Sequence, residues 1–294
     1  MTLRAPLAPA PATVPVWPEL PRTPILPMTA RLNYREYAPP GDLAPWVACF
    51  WRIAGGGAGC APVPHRVLPD GCADLLFDLE HTFTSAELVG PMSNAQVFGL
   101  GGKVELLGVR FRPGVIGAVS GIPADRLLDT TVPLAELSHL RISVAELAGR
   151  ADLSARLKLL SNLCRARLAT LQQPDPVVRY AVTRWAHAEQ VALPAISDLT
   201  RDLGLSERAF ERRFIAQVGL TPVGYRRLAR FRSVLRLYAN GVRDWAQLAA
   251  TTGFSDQSHL VRDCRAFTGL TPTEWAATQE AHAGFFQDGK ITTS

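Results

Sequence analysis

The chain has 294 residues, 47% hydrophobic and 19% charged, with a formal net charge of +5, so it can bury a core and is not globally disordered. All but Lys103, Lys158 and Lys290 of its 31 cations are arginine, the residue better suited to bidentate recognition of phosphates and base edges. No run of 18 apolar residues marks a membrane span and no leader-like segment opens the chain, while the five scattered cysteines (Cys49, Cys60, Cys72, Cys164, Cys264) contain no Cys-x-x-Cys and fit a reducing, cytoplasmic setting.

Residues 1–30 carry eight prolines, which remove amide donors and predict an extended arm. From 31 to 130, short apolar or alternating runs at 47–53, 73–79, 95–100 and 104–111 are separated by Gly55-Gly56-Gly57, Pro69-Asp70-Gly71, Gly101-Gly102 and Arg112-Pro113-Gly114. Strands this short and this often interrupted predict a small β-barrel or sandwich-like domain, with a short helix over 115–120. From 131 to 173 the period changes. Leu134, Leu137, Leu140, Val144 and Leu147, then Leu153, Leu157, Leu160 and Leu163, recur at helical spacing. This is a helical connector whose apolar face suits either its own β domain or a second copy of the chain. Pro174 and Pro176 interrupt it. Residues 174–281 then read as helical, followed by a tail over 282–294. The expected fold class is α+β, with an N-terminal β domain and an all-α C-terminal domain.

An internal duplication carries the functional reading. Ile196 to Ser206 matches Trp245 to Ser255, and Gly219-Leu220-Thr221-Pro222 matches Gly269-Leu270-Thr271-Pro272. The first match runs at an offset of 49 and the second at 50, so the second copy holds one extra residue near the start of its second helix. Gly204 and Gly253 stand where a helix must end and the chain reverse. Ser206 and Ser255 are placed to cap the following helix. Thr221-Pro222 and Thr271-Pro272 suit a cap and a first-turn proline, with Glu274 completing a capping box. Each copy is therefore a helix-turn-helix unit.

At about 100° per residue, Phe210, Phe214 and Val218 share one face of the first unit's second helix, with Arg208 and Arg212 opposite. In the second unit Leu260, Cys264 and Phe267 face inward, and Ser258 and Arg262 face out. Arg212 and Arg262 are equivalent positions, so the duplication puts an arginine at the same outward place twice. A helix fits the major groove, where arginine reads guanine O6 and N7. Between the units, 223–239 forms a bracing helix, and ten arginines fall between Arg201 and Arg243 against Asp202, Glu207 and Glu211.

These motifs resemble the DNA-binding domain of the AraC/XylS family of bacterial transcription regulators. They are Gly204-Leu-Ser, Phe210, Arg213-Phe214, Gly219-Leu-Thr-Pro and Tyr225, then Gly253-Phe-Ser-Asp-Gln-Ser, Leu260, Arg262, Phe267, Gly269-Leu-Thr-Pro and Trp275. Cys264 departs from the family, which usually has Phe there. The resemblance implies a non-enzymatic, sequence-specific regulator whose partner is double-stranded DNA. It implies base reading by Arg208, Glu211 and Arg212 and by Gln257, Ser258, His259 and Arg262, with Ser206 and Ser255 at helix N-termini facing phosphates. RNA polymerase, a small-molecule effector and a second copy of the chain are further candidate partners. The segments His65-Arg-Val-Leu-Pro-Asp-Gly-Cys-Ala-Asp-Leu-Leu-Phe and Gly108-Val-Arg-Phe-Arg-Pro-Gly resemble the small sensor domains joined to this family, and Arg66, Asp70 and Asp74 are the candidate effector contacts.

A second reading makes the β domain an enzyme or metal module, with DNA binding secondary. Cys60, His65, Cys72 and Asp74 lack the spacing of a zinc site. No phosphate loop, nucleophile elbow or paired-His helix is present. No cofactor or metal is expected.

Overall fold

The computed structural model describes residues 32–287 apart from 58, 81–84, 138–139, 141, 172 and 187–192, with side chains up to 279. The proline-rich arm expected over 1–30 lies outside them. The described elements are β1 (Leu32–Tyr37), β2 (Val47–Gly56), β3 (Val63–Val67), β4 (Ala73–Asp78), β5 (Ala86–Val89), β6 (Gln96–Leu100) and β7 (Lys103–Phe111), then α1 (Ile116–Ser120), α2 (Ala124–Leu127) and β8 (Thr131–Pro133). A 3-10 turn (Leu134–Glu136) leads into α3 (Val144–Ala148) and α4 (Leu153–Leu168). The C-terminal helices are α5 (Pro176–Ala186), α6 (Ile196–Leu203), α7 (Glu207–Val218), α8 (Pro222–Ala239), α9 (Trp245–Thr251), α10 (Gln257–Thr268) and α11 (Pro272–Gln287).

The α+β class is as the sequence predicts, but no barrel closes. One antiparallel sheet runs β1-β2-β7-β4-β5-β8, and a separate pair, β3-β6, makes a second sheet. β8 has three residues and ends in Pro133, so it offers too little ladder for the sheet to close on itself. Pleating sorts the residues. Phe50 and Leu75 both pair with Val109, and this row joins Phe77, Leu107 and Phe111 in the main β-domain core. On the opposite face Leu32, Tyr34, Trp51, Ile53 and Val104 form a second core, against which Val63 of β3 and Leu100 of β6 pack. Gly108 is required here, because a Cβ on it would sit 2.1 Å from the Trp51 indole.

Most of the connector's leucines are taken up within the chain. Leu134, Leu137, Leu140, Leu147, Leu157 and Leu160 all pack into the main β-domain core, while Val144, Leu153 and Leu163 stay half-buried. Arg156 of α4 adds an ion pair, its Nη1 2.9 Å from Glu105 of β7, which also takes two hydrogen bonds from Arg52.

The helical domain is built on one core. Trp185 of α5 meets Phe210, Phe214 and Tyr225 at ring-centroid distances of 6.4, 5.6 and 6.0 Å, arrangements that add to plain burial. The β domain touches this body at several places: α1 and α2 lie on α7, the Asp70-Gly71 turn lies on α8, Gly114 lies against Val178 of α5, and the β3–β6 pair reaches the end of α10. Gly71 has φ +77°, and a Cβ there would lie 2.5 Å from the Tyr225 ring. Among the described residues no helix is long and apolar enough to cross a membrane.

Candidate nucleic-acid interface

The first unit matches its predicted build. α6 ends at Gly204, which adopts φ +64°, and Ser206 caps α7 by accepting the Ala209 amide at 3.3 Å. Phe210, Phe214 and Val218 are fully buried. Arg208, Glu211 and Arg212 are exposed, and their side chains make no hydrogen bond or ion pair with any described residue. Arg213, one position further round, is instead engaged with Asp175 just ahead of α5.

The second unit departs at its cap. Gly253 turns the chain at φ +77°, but the N-cap of α10 is Asp256, whose Oδ1 accepts the His259 amide at 2.7 Å. Ser255 is one residue too early, and its hydroxyl donates to Asp256 Oδ2 at 3.0 Å. The single inserted residue of the second copy thus moves the cap from serine to aspartate. The His259 amide at N3, the Ser255 hydroxyl and, more weakly, Arg262 hold the Asp256 carboxyl below the ordinary range. Leu260, Cys264 and Phe267 are buried as predicted, and burial pushes the Cys264 thiol up to about 11. Gln257, Ser258 and Arg262 are exposed.

His259 is differently placed from the other expected base readers. It is half-buried, edge-on to Phe254, with Nε2 3.0 Å from Arg230 Nη2 and Nδ1 3.2 Å from Ser255 Oγ. Arg230 lies over the Phe254 ring at 4.2 Å. Beneath them, Asp263 is only 1% exposed and accepts from Arg227 at 2.6 Å and Arg230 at 3.3 Å. This network joins α8 to α10 and was not legible in the sequence, where Asp263 looks like one more polar residue of an amphipathic helix.

The same contacts revise the meaning of the local arginine excess. Arg226 donates to the carbonyls of Leu193 and Pro194, Arg232 to that of Asp70 and Arg236 to that of Ala186. Much of the positive charge on α8 therefore holds the protein together, while Arg208, Arg212 and Arg262 on the outward faces of α7 and α10 make no side-chain hydrogen bond or salt bridge with any described residue.

In the β domain, Arg66, Asp70 and Asp74 are not brought together. Arg66 reaches the end of α10. Asp70 and Asp74 meet instead at Arg110 of β7, whose guanidinium lies 3.6 Å from Asp70 and 3.2 Å from Asp74, with Glu36 at 3.6 Å. Trp51 Nε1 donates to Asp74 at 2.6 Å. Burial pushes the Asp74 carboxyl up; Asp70 is also buried, but Arg110 and Arg232 outweigh that and hold it low. A cavity of about 250 Å³ opens beside this cluster, lined from the β domain by Asp70, Cys72, Arg110 and Arg112 and from α8 by Tyr225 and Arg232. Arg110 was the missed residue, and the available signal was a charge at an inward register of a strand. Cys60, His65, Cys72 and Asp74 form no metal cluster: among the described residues no three His, Cys, Asp or Glu gather to hold one. Burial alone pushes His65 down to about 4.

Comparison with known proteins finds two family matches along the chain. Residues 199–278 match the model of a helix-turn-helix domain family, and residues 35–133 match a domain family of unknown function, DUF6597. No curated protein matches. Among solved structures, ToxT from Vibrio cholerae O395 is 12% identical, with 85% of this chain and 97% of that chain covered and a TM-score of 0.40. The C-terminal domain of AraT, a response regulator from Geobacillus stearothermophilus, is 17% identical over 35% of this chain and 86% of that chain, with a TM-score of 0.33. With two capped helix-turn-helix units on one aromatic core and a family match over residues 199–278, the chain carries a C-terminal helix-turn-helix domain.

Proposed function

We propose that the chain is a sequence-specific transcription regulator in which α7 and α10 enter successive major-groove segments of one DNA site. Arg208, Glu211 and Arg212 read bases in one segment, and Gln257, Ser258 and Arg262 in the other. Ser206 and Ser255, at the turns before these helices, face phosphates, where unpaired amides favour anions. His259 joins the readers only by giving up Arg230. One observation carries this reading: both helices bury an apolar face and leave on the opposite face arginines that make no side-chain hydrogen bond or salt bridge with any described residue. An unpaired arginine at that position is free for the bidentate contact that guanine offers.

The β domain is the regulatory half in this reading, and a small polar effector occupies the 250 Å³ cavity beside Asp70, Arg110 and Arg232. Arg66 is not among its contacts. The test of the DNA-binding half is a binding site selected from random duplexes, followed by fluorescence anisotropy. Arg212→Ala and Arg262→Ala should each weaken binding by roughly 1–3 kcal/mol and relax base preference at one position. Unchanged affinity and preference in both variants would remove the readers from their roles.

A further inference from the structure

Both recognition helices touch the β domain, and both do so at their C-terminal ends. At α10 the contact is polar. The last carbonyls of a helix have no partner within it, and here two of them are satisfied by the β domain: Ala95 N–H donates to the Phe267 carbonyl at 3.0 Å, and Arg66 Nη1 donates to the Thr268 carbonyl at 2.6 Å. The two donors come from one end of the same small sheet, since Arg66 pairs with Val97 and Val67 with Gln96, the residue after Ala95. The guanidinium also lies at the negative end of the helix dipole, where a cation is favoured.

At α7 the contact is steric. Its C-cap Gly219 sits so close to α2 that a Cβ would be 2.7 Å from the Ala124 carbonyl, and one on Gly117 of α1 would lie 3.8 Å from the Ala216 carbonyl. The grips are at the tails. Each helix has 12 residues, so the leading turns that carry Arg208 and Gln257 stand roughly 16–18 Å from them.

We propose that the β domain is a second brace for DNA reading, alongside α8, and that Arg66 is a positioning residue that fixes α10 relative to α7. A pair of helices held only by α8 and the shared core is unfastened at its trailing ends and can tilt there. Two helices each fastened to the same β domain cannot, so the chain measures the distance between its two groove segments. One inserted base pair shifts a segment by about 3.4 Å and turns it by about 35°, which a braced pair cannot follow. The Arg66 contact is a hydrogen bond from a charged group, worth about tenfold or more in an equilibrium, enough to set how freely α10 pivots. This inference rests on the DNA-binding reading above.

The experiment uses the full chain on its selected site and on duplexes with one base pair inserted or removed between the two segments. Wild type should bind the altered duplexes at least about tenfold more weakly, and Arg66→Ala should cut that penalty to about threefold or less. Arg66→Glu, which sets a like charge against the helix end, should flatten it further. The penalty is a ratio measured on one preparation, so partial misfolding of a variant does not move it. A penalty that stays at the wild-type value in both variants overturns the inference, whatever their absolute affinities. Wild type that selects a site but ignores its spacing overturns the inference alone; wild type that selects no site overturns the DNA-binding reading as well.

Discussion

In the first helix-turn-helix unit α7 is held by rings. Phe210 and Phe214 stand 5.5 Å apart and both pack on Trp185, and Phe214 also meets Tyr225. In the second, the positions equivalent to Phe210 and Phe214 are Leu260 and Cys264, and α10 gains a buried carboxylate, Asp263, tied to two arginines of α8. Position 213 in the first unit, equivalent to 263, carries the opposite charge, and its partner Asp175 lies ahead of α5 rather than on α8. The units share a plan and differ in what fastens the second helix. Hydrophobic burial is strong and tolerant of small rotations. An ion network contributes less net stability but fixes orientation, because its geometry must be kept.

The sharpest way to break this comparison is to truncate the equivalent buried side chain in each unit. Phe214→Ala deletes a fully buried side chain and should cost about 3–5 kcal/mol, whereas Cys264→Ala removes a single sulfur and should cost about 1 kcal/mol. Urea denaturation of the full chain measures both. Equal losses would mean that the second unit depends on packing as much as the first.

Next in size is the charge. Asp263→Ala strips the carboxylate from Arg230, which is 16% exposed and whose Nε has no hydrogen-bond partner among the described residues. Removing half of a buried pair is expensive, but Arg227 is 42% exposed and will hydrate. The expected loss is about 2–3 kcal/mol, against less than about 1 kcal/mol for Arg213→Ala at the equivalent, partly exposed position. Hydrogen exchange locates the effect: Asp263→Ala should raise exchange in α10 and spare α7. Uniform acceleration through both units would sink the idea that the network is local to the second.

How far the sequence carried this picture depends on the kind of signal. The helical domain was legible because glycine stops, caps and apolar faces repeat and reinforce one another. Even its error is instructive, since the inserted residue was seen but its effect, Asp256 replacing Ser255 as cap, depends on turn geometry. The β domain was half legible. β2, β4, β6 and β7 announce themselves as apolar or alternating runs. β3 contains Pro64 and His65, β5 has four residues, and β8 has three, too short to show a period. β1 alternates as Leu-Asn-Tyr-Arg-Glu-Tyr, and its outward polar positions mask it. Partnerships across the chain were not legible at all. Arg66 finds Thr268 and Arg232 finds Asp70, and nothing local in either residue's neighbourhood encodes its partner.

The smallest expected difference between the units is a titration. Ser206 is a neutral cap, and Asp256 is a charged one. The native Asp256 carboxyl is held below the 3.8 of a free aspartate by the His259 amide first and then the Ser255 hydroxyl. Its capping contribution is therefore complete above pH 3.8 and is lost as pH falls through the lower native value. In an acid titration followed by NMR, the His259 amide should shift with a midpoint below that of a free aspartate, while the Ala209 amide, bound to Ser206, stays still. Asp256→Ser should make the two caps behave alike and abolish the His259 transition. A His259 midpoint at or above the free-aspartate value would mean that the carboxylate gains nothing from the helix end, and the one residue that distinguishes the two turns would then have no energetic consequence.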